Sequence, residues 1–78
     1  MTEMSTTERR VTDLPLAAFL ALRHRLIRVE ANGGGRCAFV FEDTAAVEQD
    51  CMAFLSRRTT VEPMAYAENI RTMRRAIQ

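Results

Sequence analysis

The segment Cys37-Ala38-Phe39-Val40-Phe41 constrains this chain more than any other stretch. It follows Asn32-Gly33-Gly34-Gly35, which holds all three glycines, and it is apolar at every position. A strand alternates its side chains between two faces, so Cys37, Phe39 and Phe41 fall on one side and Ala38 and Val40 on the other. Any fold built around this strand must cover both sides. A lone two-stranded hairpin cannot do so in water.

The flanking sequence supplies the partners. Arg25-Leu26-Ile27-Arg28-Val29-Glu30 alternates, with Ile27 and Val29 expected on one face and Arg28 and Glu30 on the other. The glycines then make a turn, and the two strands form a hairpin. A phosphate-cradling loop would need a helix behind it, whereas a strand follows here.

Ahead of the hairpin, Asp13 caps a helix that runs to about Arg23. It carries Pro15 in its first turn and Leu16, Phe19, Leu20 and Arg23 at helical spacing. Behind the hairpin, Asp43 or Thr44 caps a second helix with Val47, Cys51, Phe54 and Leu55 on one face, ending near Arg57-Arg58. Pro63 opens a third, in which Tyr66, Ile70, Met73 and Ile77 form a narrow apolar stripe.

The predicted fold class is α+β. It is a small domain of order (β)-α-β-β-α-α, an antiparallel β-hairpin packed by three helices. Residues 1–9 read as a tail and residues 10–78 as one compact domain. The bracketed strand is Arg10-Val11-Thr12. Three helices cover one face of the hairpin well and the other only in part. Either a strand near Val11 widens the sheet, or another chain covers Ala38 and Val40.

The strand also invites comparison with the RNA-reading strand of a four-stranded recognition sheet, which offers two aromatics to bases. Ala38, Phe39 and Val40 fit that pattern; Gly35, Arg36, Cys37 and Glu42 do not. Phe39 and Phe41 share their face with Cys37, and they read as core.

Charge narrows the function. Eleven basic residues, all of them Arg, oppose ten acids for a net charge of +1, so no global field draws the chain to nucleic acid. A local patch has to do so. Arg71, Arg74 and Arg75, with Arg57 and Arg58, form the candidate. The rival candidate is a protein interface at Ala38, Val40, Glu42 and Asp43, with Glu48 and Asp50 nearby, taking a homodimer mate or a larger protein machine. Cys37 and Cys51 with the single His24 are too few soft ligands for a metal, and they read as buried thiols and a surface histidine. No cofactor, membrane contact or small-molecule substrate is indicated. Nor do the paired acids suggest a catalytic cleft. The polar N-terminus lacks a secretory signal, so the expectation is a non-enzymatic cytoplasmic binding module.

The runs "VTDLPLAAFLALRHRLIRVE", "GRCAFVFED" and "VEPMAYAENIRTMRRAI" together resemble a small uncharacterised domain family of bacteriophage and mobile-element genomes. The likeness rests on Thr12 to Leu14, Ala17 to Leu20, Phe39 to Asp43, Val61 to Pro63 and Ile70 to Ile77. His24 and Glu62 depart from the pattern. The resemblance implies the same element order, carries no catalytic residue, and sets a context in which small accessory proteins act on DNA, RNA or a host machine.

Overall fold

Three polar side chains set where the helices begin. In the computed structural model, which describes residues 7–31 and 37–76, the Asp13 carboxylate accepts the Leu16 N–H at 3.1 Å and starts α1, Leu14–Arg23. Thr44 Oγ1 accepts the Val47 N–H at 3.2 Å and starts α2, Ala45–Leu55. Glu62 accepts the Ala65 N–H at 2.7 Å and starts α3, Pro63–Ala76. Each cap satisfies a helix N–H that has no partner within its own helix.

Three strands complete the order β-α-β-β-α-α: β1 Glu8–Val11, β2 Leu26–Ala31 and β3 Cys37–Glu42. The sheet is antiparallel throughout, with β3 in the middle between β1 and β2. The N-terminal strand is therefore real and starts at Glu8, two residues ahead of the expected domain boundary. The expected turn at Asn32–Gly35, the tail before Thr7, and Ile77 lie outside the described residues.

One face of the sheet packs on the helices. Phe39 and Phe41 are 1% and 0% exposed and meet Phe19, Leu20, Val47, Cys51 and Met73 in a single core. The rings of Phe19 and Phe54 stack at 5.3 Å, joining α1 to α2. Tyr66 Oη donates to the Pro15 carbonyl at 3.0 Å and Asn69 Nδ2 to the Ala18 carbonyl at 3.1 Å, joining α3 to α1. Phe39 and Phe41 are not offered to bases; they hold the helices to the sheet.

The register departs from simple alternation at Ile27. Leu26 lies opposite Phe41 and Arg28 opposite Val40, so Ile27 is an extra residue, a β-bulge. The bulge puts Leu26 and Val29 on the helix side together and leaves Ile27 exposed, where alternation alone had grouped Ile27 with Val29. Among the described residues no helix is long and apolar enough to cross a membrane.

Candidate nucleic-acid interface

The far face of the sheet shows first how the charges are spent. Arg10, Val40 and Arg28 lie side by side across the three strands, with Glu8 and Glu30 next to them on the outer two. Arg28 donates to both Glu8 carboxylate oxygens, at 2.7 and 2.9 Å, and its Nε donates to Glu30 at 2.8 Å. Arg10 Nε donates to the other Glu30 oxygen at 2.9 Å. These four side chains form a closed clasp from one edge strand to the other. Beneath it Val40 and Ala38 are 0% and 1% exposed. Long arginine stems cover apolar surface while their heads stay in water, which suits them to this position. The hydrogen bond from Arg28 holds the Glu8 carboxyl below its ordinary range, and those from Arg10 and Arg28 do the same for Glu30.

A second ion-pair group ties β1 to α2. Arg9 Nε donates to Asp43 at 3.0 Å, its Nη2 pairs with Glu48, and its Nη1 reaches the Cys51 sulfur at 3.6 Å. Burial pushes the Cys51 thiol up. A third group ties α1 to α2: Asp50 accepts from Arg23 at 2.9 Å and meets His24 Nε2 at 2.7 Å. Burial raises the Asp50 carboxyl, but these two hydrogen bonds outweigh it and hold it below the ordinary Asp range. His24 is half-buried in this bridge instead of standing on the surface as the sequence suggested. With Arg25, Ile27, Glu42, Thr44 and Val47 it lines a groove of about 380 Å³.

These groups consume Arg9, Arg10, Arg23 and Arg28 against Glu8, Glu30, Asp43, Glu48 and Asp50. Arg57, Arg58, Arg71, Arg74 and Arg75 pair with no carboxylate among the described residues, and all five are exposed. The split follows the chain. From Arg57 to Ala76 five arginines face two glutamates, whereas the described residues before Arg57 hold five arginines and seven acids. A net charge near zero thus conceals a basic C-terminal third.

On α3 the geometry sorts these arginines. At about 100° per residue, Arg71, Arg74 and Arg75 fall within one third of the helix circumference. Buried Met73 points away from Arg71 and Arg75, with Tyr66, Asn69 and Ile70 near it on the packed side. Three planar, always-charged forks therefore share one solvent face over little more than one turn. Arg57 and Arg58 belong to a separate place, the end of α2. Arg58 lines a recess of about 210 Å³ with Arg23, Asp50, Thr59 and Thr60. Arg57 has φ 59°, the left-handed region. Its N–H donates to the Phe54 carbonyl at 3.0 Å and the Arg58 N–H to that of Ala53 at 2.9 Å. This paired closure of a helix end is usually built on glycine.

Of the rival residues, Ala38 and Val40 lie under the clasp and Asp43 is held by Arg9, while Glu42 is exposed without a cationic partner among the described residues. Sequence reading missed Glu8, Arg10, Arg28 and Glu30 as a unit. Their alternation along β2 was visible, but not the register that sets them beside β1. Comparison of the chain with family models, curated proteins and solved structures returned no match to any of them.

Proposed function

We propose that this domain is a non-enzymatic accessory module that contacts nucleic-acid phosphates through the Arg71, Arg74 and Arg75 face of α3, with Arg57 and Arg58 as outlying contacts. One observation carries the reading. The arginines of the sheet and of α1 that bear on packing are neutralised by carboxylates, while those of the C-terminal third are exposed and pair with no carboxylate among the described residues. An arginine that is neither paired nor packed is free to release counterions from a phosphate backbone. The contact would be to phosphates and not to base edges, because Phe39 and Phe41 are spent in the core. A cytoplasmic role beside a phage or mobile-element nucleic-acid transaction agrees with the family resemblance drawn from the motifs.

The test is titration of a labelled 20-base-pair duplex, and separately of a structured RNA, with the wild type and with R71Q/R74Q/R75Q across a salt series. Wild-type affinity should fall steeply with salt, and the triple variant should flatten the slope of log K against log salt by about three. Equal binding by both proteins at low salt rules the reading out. A second reading, docking of a protein strand at the hairpin, is supported by the outer edge of β2, which pairs with no strand among the described residues.

A further inference from the structure

The outer edge of β2 is complementary to a copy of itself. β2 lies at the border of the sheet, and Ile27 and Val29 are 41% and 37% exposed there. The bulge at Ile27 leaves Arg28–Ala31 as the regular stretch of that edge. In an antiparallel pair, directly opposed residues share a face. A two-fold axis between identical strands must therefore pass through a residue and not between two.

Charge then selects the register. An axis at Arg28 opposes two guanidinium groups, and an axis at Glu30 opposes two carboxylates. An axis at Val29 sets Arg28 against the partner's Glu30 and Glu30 against the partner's Arg28, with Val29 meeting the partner's Val29. Arg28 and Glu30 are already neighbours in the clasp, at 2.8 Å, so the alternation of charge would run on across the new boundary. The other edge fits less well. β1 has four residues, and an axis at either of its central ones, Arg9 or Arg10, opposes two guanidinium groups.

We infer that a second copy of this chain pairs antiparallel along β2 about an axis at Val29, joining two three-stranded sheets into one of six strands. This gives the second reading above a specific occupant and is independent of the arginine face of α3. A contact along one four-residue edge, Arg28–Ala31, belongs to the weak, concentration-dependent class of interface. Its isologous form also presents two α3 faces per assembly.

Sedimentation from about 10 μM to about 1 mM tests it, with V29E beside the wild type. Wild type should shift toward dimer over that range, and V29E, which opposes two carboxylates at the axis, should weaken association about tenfold or more while its circular dichroism stays unchanged. In a C37S background, V29C should form an intermolecular disulfide at least about ten times faster than A31C, because only position 29 meets itself within disulfide range. Wild type that stays monomeric at about 1 mM, or equal cross-linking at the two positions, overturns the second copy as occupant. Such a result leaves the edge open to an unlike strand, so the two failures are told apart.

Discussion

Arg57 shows at single-residue scale how a charge can be kept at a conformational cost. Its φ of 59° suits glycine, since a Cβ in the left-handed region crowds the backbone. R57G should therefore raise stability by about 0.5–1 kcal/mol in urea denaturation. The same change should weaken phosphate binding if this arginine contributes to it. Stability and binding moving in opposite directions would mark the residue as functional; a gain in stability with unchanged binding would mark it as incidental. Phe39 stands at the other extreme, fully packed with no polar duty. F39A should lower stability by about 3–5 kcal/mol, read from the shift in urea midpoint. That core role was legible from the strand's alternation alone. The bond from Tyr66 to the Pro15 carbonyl was not, because periodicity reports which face a residue takes and not what its hydroxyl will find 51 positions away.

At the scale of elements, α1 and α2 were legible because each begins at a residue whose side chain can satisfy an N–H, Asp13 and Thr44, and α3 because Pro63 suits a first helical turn; the Glu62 cap was not read. The strands were legible only by halves. Glu8 and Arg9 read as tail because a four-residue strand with one buried residue leaves almost no pattern. Yet β1 supplies two members of the clasp and the Arg9 anchor to α2. The clasp makes a prediction about acid. Glu8 and Glu30 have carboxyls depressed by their arginine hydrogen bonds, so their contribution is fully present above the ordinary Glu range and is lost as pH falls through the depressed values. Urea midpoints should therefore fall on acidification more for the wild type than for E8Q/E30Q, which starts lower at neutral pH. Parallel pH profiles for the two proteins would show that the clasp covers Val40 without stabilising the sheet.

At the scale of the whole molecule, the division of charge decides behaviour that net charge hides. The sheet and the first two helices form an almost self-neutralised body, and α3 with the end of α2 carries the surplus of arginine. A cation-exchange resin should therefore retain the protein at pH 7 more strongly than its charge of +1 suggests, with R71Q/R74Q/R75Q eluting at clearly lower salt. Coincident elution would argue that the surplus is not presented on one side. The order of strands has a further consequence for how the protein can be shortened or tagged. β3 is flanked by β1 on one side and β2 on the other, so β1 shields the sheet's middle. An aminopeptidase that trimmed past Arg10 would unlid Val40 and turn a wetted, charged surface into a sticky one. N-terminal engineering of this domain should stop short of Thr7.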